Sequence, residues 1–305
     1  MKTVAIIGAN SYIARNVLFK LKQLKCNIWL YDCAEKHVDN ETGYTQIDIL
    51  SKESVSKINF NCDVIFMFVG RTGSVNGFDE YNTFLNINQM ALLNVLNEYR
   101  LQNSKAKIIF PSTRLVYKGK NGILSEDSEK EFKTVYAINK YACEKYLEQF
   151  YNVYGVKYCT FRICVPYGTL VPNASSVGTA EFMLSKALKG QNITLYGDGS
   201  VRRTLTYMED LCDTLVKGAF DDRCINDTYN IGGEDYSLKE MAELIAKKYG
   251  VGVDYVEWPD IARKIESGNT VFDDTKLQNI IGNTITHRFL DWVSDGTLLE
   301  AQTAL

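Results

Sequence analysis

Short apolar runs alternate along this chain with stretches that repeat apolar positions every three or four residues. Thr3–Ile7 has the pattern of a strand, and Ile13, Val17, Leu21 and Leu24 predict a helix over Ser11–Lys25. Ile28–Tyr31 reads as a second strand. Val64–Val69 is almost continuously apolar, as expected of a strand covered on both faces. Ile87, Met90, Leu93 and Leu96 recur at every third position and predict a long amphipathic helix between Asn82 and Arg100. Lys107–Phe110 is the next strand. Thr134–Tyr151 follows as a helix with Cys143, Tyr146 and Phe150 in its stripe, and Val156–Ile163 as another strand. Beyond Pro166 the alternation weakens into turn signals at 168–173 and 196–200. Tyr229–Gly233 then resembles a strand stopped by glycines, and Ser237 with Glu240 forms a capping box that opens a helix over Ser237–Tyr249. Alternating strands and helices predict an α/β fold, a doubly wound parallel sheet, with a smaller mixed C-terminal part. The expected boundaries are 1–165 and 166–305, with a segment near 204–233 returning to the first part.

Composition narrows the class. The chain has 305 residues, 46% hydrophobic and 23% charged, with a net charge of −3. That excludes a disordered or disulfide-scaffold protein and a general nucleic-acid binder, which needs a basic excess. No apolar run approaches the roughly 18 residues that span a bilayer. The N-terminal apolar stretch is too short for a secretory signal, so a cytoplasmic protein is expected. The eight cysteines are scattered without a C-x-x-C pair, and there are only two histidines, His37 and His287. Reduced, packed thiols and no metal site are therefore expected.

The link from first strand to first helix, Gly8-Ala9-Asn10-Ser11-Tyr12-Ile13-Ala14, can aim backbone N–H groups and a helix N-terminus at a pyrophosphate. Only Gly8 is glycine. Ser11 and Ala14 occupy the positions three and six residues later, and the Ser11 hydroxyl could compensate by donating to a phosphate oxygen. A plain strand–helix turn would look the same. Asp32, 24 residues after Gly8 at the end of the second strand, could hold a ribose 2′-hydroxyl and would repel a 2′-phosphate, so NAD is favoured over NADP. Asp48 could bond the adenine amino group or cap a helix at 51–58.

Tyr136-Ala137-Ile138-Asn139-Lys140 puts a phenol and an ammonium on one helix face. A fixed cation there favours the phenolate, and a bound nicotinamidium would favour it further. Upstream, Ser112 and Thr113 leave the carboxyl end of the 107–110 strand, where doubly wound sheets place ligands. In this order the elements resemble the extended short-chain dehydrogenase/reductases, specifically the NAD-dependent nucleotide-sugar epimerase/dehydratase family. Val116-Tyr117 resembles the family's V-Y-G segment, with Lys118 in place of the glycine. The region around Asn88, Arg162–Gly168, Tyr196–Asp210, Tyr229–Gly233 and Asp273–Lys276 resembles further family segments in the same order.

The resemblance implies a catalytic set of Thr113, Tyr136 and Lys140. It implies an NAD site in residues 1–165 formed by Gly8, Asn10, Ser11, Tyr12, Ile13, Asp32, Asp48, Ile49, Val69, Gly70 and Asn88 with Tyr136 and Lys140. It places a nucleotide-diphosphate sugar in the 166–305 part, with Arg203 at the diphosphate and Arg263 and Thr113 as further substrate contacts. Homodimerisation through the helices at 82–100 and 134–151 is also implied. Three departures stand out. Arg114 and Leu115 replace the Asp and Glu that the family's 4,6-dehydratases carry after the catalytic Thr, so that elimination lacks its acid and base. Val165 replaces a substrate-binding Asn. The expected activity is C4 epimerisation through a keto intermediate. The alternatives are a dehydrogenase or 4-keto reductase of the same fold using NAD(P), and a non-catalytic NAD-sensing relative.

Overall fold

The computed structural model describes residues 1–174 and 178–295; positions 175–177 and 296–305, the latter ending the expected second part, lie outside the described residues. Seven strands build the main sheet: β1 (Thr3–Ile7), β2 (Asn27–Asp32), β3 (Tyr44–Gln46), β4 (Val64–Met67), β5 (Lys107–Thr113), β6 (Tyr158–Ile163) and, later in the chain, a strand at Asp227–Asn230. All pair in parallel, and the order from one edge is Asp227–Asn230, β6, β5, β4, β1, β2, β3. The order reverses between β1 and β4, which opens a crevice at the carboxyl ends of those strands.

Burial on both faces explains the sequence of the central strands. Every residue of β4, β5 and β6 is buried. One face packs on helix α1 (Tyr12–Gln23) and on a helix at Met208–Phe220. The other packs on a long helix α2 (81–101) and on α3 (Val135–Tyr154). α2 is α-helical over Tyr81–Leu85, π-helical over Asn86–Met90 and α-helical again over Ala91–Leu101. Its buried side chains are Asn88, Gln89, Ala91, Leu92, Val95, Leu96 and Tyr99, besides Phe84. The expected every-third stripe is therefore corrected: Leu96 is inside, but Met90 is 41% exposed, and Ile87 and Leu93 are half-buried. A π turn carries one more residue than an α turn, so the pattern changes face as it crosses that segment.

After β6 come β7 (Val165–Tyr167), helix α4 (Thr179–Leu188) and β8 (Arg202–Tyr207); the helix Met208–Phe220, α5, leads to the edge strand, β9. β8 lies between β7 and β10 (Glu234–Ser237) in a small mixed sheet, parallel to the first and antiparallel to the second. α6 (Leu238–Tyr249) begins with the expected capping box of Ser237 and Glu240. A second core joins α4, α6, β7 and β8 around Tyr167, Leu205 and Phe289. Val165 belongs to it, 6% exposed. Among the described residues, no helix is long and apolar enough to cross a membrane.

Candidate active site

The turn after β1 leaves no room for a side chain at Gly8. Its φ is +87°, and a Cβ there would lie 2.7 Å from the Val69 nitrogen. Ser11 caps α1 in extended conformation, yet its hydroxyl makes no capping hydrogen bond, and Oγ is buried without a partner. An unanswered buried hydroxyl at the positive end of a helix matches what a phosphate oxygen would satisfy. Ala14 is fully buried under the sheet. The Tyr12 phenol donates to the Gly168 carbonyl, Arg15 donates to the carbonyls of Pro172 and Asn173, and Asn16 accepts from the Leu170 N–H, so α1 is tied to the segment after β7. Ile13 packs half-buried against the first core.

Asp32 stands at the end of β2, with one carboxylate oxygen 2.9 Å from the Asn10 N–H and the other 2.7 Å from the Cys33 N–H. The Asn10 side chain accepts from the Val38 N–H and donates to the Lys36 carbonyl, which shapes the loop beyond Asp32. Asp48 is exposed and accepts from the Leu50 N–H. The cap of the short helix Lys52–Val55 is Ser51, so the capping alternative for Asp48 is corrected. Ile49 is buried beside α2.

At the ends of β4 and β5 the distant motifs converge. A Cβ on Gly70 would lie 3.2 Å from the Asn88 Oδ1 and 3.6 Å from the Lys140 Nζ. Asn88 pins the loop after β4 through paired bonds with the Arg71 N–H and carbonyl. The Asn88 carbonyl, in the π segment, accepts from the Cys143 thiol of α3. Thr134 caps α3, accepting from the Ala137 N–H. Lys140 is 5% exposed; its ammonium donates to the Pro111 carbonyl at 2.7 Å and stands 4.5 Å from the Phe110 ring centroid and 6.0 Å from that of Tyr136.

Burial dominates the electrostatics. It pushes the Tyr136 phenol well above its ordinary value, against the weaker pull of a hydrogen bond with the Thr113 hydroxyl. Burial also brings the Lys140 ammonium down to about 8, with Cys143 and Glu144 opposing. The expected phenolate-favouring effect of Lys140 is thus corrected for the protein alone: the ammonium is turned toward the Pro111 carbonyl, and desolvation prevails. Behind Thr113 lies a buried polar network that sequence reasoning did not assemble. Ser112 and Arg162 both donate to Glu144, Arg162 donates to the Tyr117 oxygen, and the Tyr117 phenol donates to Asn230. Glu144 follows Lys140 by four residues on α3, the one local signal that could have drawn it in.

The two arginines expected to meet the substrate differ in burial and pairing. Arg203 is buried, and its guanidinium is occupied by Glu266 at 2.6 Å and by the carbonyls of Gly268 and Arg202. Arg263 is exposed and lines a cavity of about 500 Å³ with Lys118, Lys133, Trp258, Glu266 and Ser267. Arg114 reaches the rim of that cavity by donating to the Ser267 hydroxyl at 3.0 Å. Glu181 of α4 accepts from the Gly168 N–H; its other oxygen is buried without a partner, and burial lifts it to about 7. Among the described residues, no group of three or more His, Cys, Asp or Glu could hold a metal ion.

A family model described as the NAD dependent epimerase/dehydratase family matches residues 4–232. Among curated proteins, a UDP-N-acetyl-alpha-D-glucosaminuronate decarboxylase of Bacillus cytotoxicus is 28% identical over 65% of this chain and 63% of its own length. Among solved structures, Pal from Bacillus thuringiensis superposes with a TM-score of 0.88 at 22% identity, covering 98% of this chain and 99% of its own. A UDP-glucuronic acid 4-epimerase from Bacillus cereus, in complex with UDP-glucuronic acid and NAD, superposes at 0.83 with 19% identity, covering 96% of each chain. At these identities the superpositions show a shared fold.

Proposed function

The chain belongs to the NAD-dependent epimerase/dehydratase family, and from that premise we propose that it epimerises a nucleotide-diphosphate sugar at C4. The observation that carries this reading is the meeting of Thr113, Tyr136 and Lys140 at the ends of β4 and β5, with Arg114 and Leu115 where a dehydratase would need an acid and a base. Tyr136, as the phenolate that the positive charge of a bound nicotinamidium would favour, takes the proton from O4 while the Thr113 hydroxyl holds the same oxygen. Bound NAD supplies the acceptor for the C4 hydride and the donor that returns it to the other face of the keto sugar. The unpartnered Ser11 hydroxyl, the Gly8 turn and Asp32 are the groups that would hold the dinucleotide. Lys140, with a single hydrogen bond of its own, has donors left for the ribose hydroxyls. A phenol kept protonated by burial has the proton that the return step needs.

That same phenol favours a second reading, reduction of a 4-keto sugar, in which NAD(P)H is consumed at each turnover. The two separate by product NMR over a panel of nucleotide sugars and by assay of co-purified dinucleotide. Stoichiometric bound NAD with C4 epimers as products is expected; net consumption of NAD(P)H would establish the reductase. Tyr136→Phe should lower turnover by about 10²–10⁴-fold while NAD stays bound, and retained activity would refute the role given to Tyr136.

We also assign a second copy of this chain to the outer face of α2 and α3. From Tyr81 to Asn97, α2 carries no charged residue, although Leu85 and Met90 are 44% and 41% exposed, and Ile138 of α3 is 51% exposed. An uncharged, partly apolar exposed helix supports an interface.

A further inference from the structure

We propose that Ser112 is a positioning residue: by binding the buried Glu144–Arg162 pair, it sets where the Thr113 hydroxyl stands relative to Tyr136 and Lys140. The inference rests on the reading above, in which Thr113, Tyr136 and Lys140 act on the sugar, and adds the group that holds them in register.

Side-chain alternation along β5 puts Ile108, Phe110 and Ser112 on one face. Ile108 and Phe110 share a core there with Cys143 and Leu147 of α3, and apolar contact of that kind is non-directional. Ser112 ends the face with a hydroxyl, which donates to Glu144. Three successive turns of α3 thus meet the end of β5: Tyr136 bonds with the Thr113 hydroxyl, Lys140 donates to the Pro111 carbonyl, and Glu144 accepts from Ser112. The proposed reaction draws on the first two, since the phenol and the Thr113 hydroxyl turn to O4 and the ammonium to a ribose. The bond at Glu144 involves no reacting group and stays in place throughout.

The carboxylate at that bond is itself fixed. Arg162 of β6, the register partner of Ser112, holds Glu144 through its Nε at 3.1 Å and one terminal nitrogen at 2.6 Å, a two-point geometry that sets orientation as well as distance. The other terminal nitrogen donates to the Tyr117 oxygen and to the Glu126 carbonyl. Tyr117 follows the short helical turn Arg114–Val116, and its phenol is anchored on Asn230 of β9. Thr113 is therefore bracketed: the residue before it and the turn after it both end on the same buried pair. Ser112, Glu144, Arg162, Tyr117 and Asn230 are all buried. Taking two charges out of water offsets much of their attraction, so such a pair contributes little net stability; here its use is placement.

The test is Ser112→Ala in the NAD-loaded protein, which removes one hydroxyl and leaves the Glu144–Arg162 pair in place. On the nucleotide sugar that the wild type turns over fastest, kcat should fall by about 10–100-fold while KM and NAD affinity stay within about threefold. Ser112→Cys, which keeps a weaker donor at the same place, should recover part of the loss. Crystal structures of the two NAD-loaded proteins give a readout that needs no substrate: in Ser112→Ala the Thr113 hydroxyl should move by at least about 0.5 Å or divide between two rotamers. If Ser112→Ala does not fold, Ser112→Cys makes the same comparisons. The proposal is overturned if Thr113 is unmoved, if KM and NAD affinity worsen as much as kcat, or if the variant melts at a lower temperature with kcat per NAD-loaded site unchanged. Failure of the epimerase reading would appear instead as absent turnover by the wild type on the sugar panel, and the displacement of Thr113 then decides the positioning role by itself.

Discussion

Ser11 is a residue whose cost and use fall in different states of the molecule. Its hydroxyl is buried at the start of α1 with nothing in the protein to answer it, and such groups cost about 1–3 kcal/mol. Ser11→Ala should therefore leave the NAD-free protein as stable or slightly more so, while weakening NAD binding by about 3–10-fold. Melting curves with and without NAD, together with a titration, separate the two effects; equal losses in both would remove Ser11 from the phosphate site. Lys140 gives a pH-dependent counterpart. Burial lowers its ammonium to about 8, and hydroxyl acceptors from a ribose bound as proposed would stabilise the charged form. NAD binding near pH 8.5 should thus take up a proton, and affinity should fall as pH rises above 8. Calorimetry in buffers of different ionisation enthalpy measures that uptake, which Lys140→Met should abolish. Thr113, Tyr136 and Lys140 were legible in the sequence because a strand end and a four-residue spacing are local features. The links from Glu144 through Arg162 and Tyr117 to Asn230 were not, since those residues meet only after α3, β6 and β9 are laid against β5.

Elements were readable to the extent that one period governs them. β4 announced itself as an apolar run, β5 and β6 as short strands between helices, and α6 by its capping box. α2 did not yield its inward face, because the π segment at Asn86–Met90 changes the period midway and turns Met90 outward. Helix α4 carries a prediction at this scale. Glu181 joins it to Gly168 after β7, and burial raises the carboxyl from 4.5 to about 7. A raised carboxyl binds its proton more tightly in the folded state, so its favourable contribution is full below pH 4.5 and is lost as pH rises through 7. Glu181→Gln should be the more stable protein at pH 8, by about 3 kcal/mol at most, and the advantage should vanish toward pH 4.5. Thermal melts of the two proteins across that range would show it, and a constant difference would mean that the carboxyl titrates normally.

For the whole molecule, the outer faces of α2 and α3 predict association. Met90→Glu combined with Ile138→Glu should convert a dimer to a monomer in sedimentation equilibrium without loss of NAD binding, since both side chains are exposed and neither is among the proposed cofactor contacts; a wild-type monomer at micromolar concentration would refute the assignment. The mooring of α1 to the segment after β7 matters at this scale too. Tyr12, Arg15 and Asn16 fasten the helix proposed to meet the pyrophosphate to carbonyl and amide groups of the 168–173 segment. With that seam beside the proposed phosphate site, release of the dinucleotide is expected to require these bonds to open. The coenzyme's dwell time should then outlast many catalytic cycles, so that a molecule stranded in the reduced state would stay idle until a keto sugar arrived to reoxidise it.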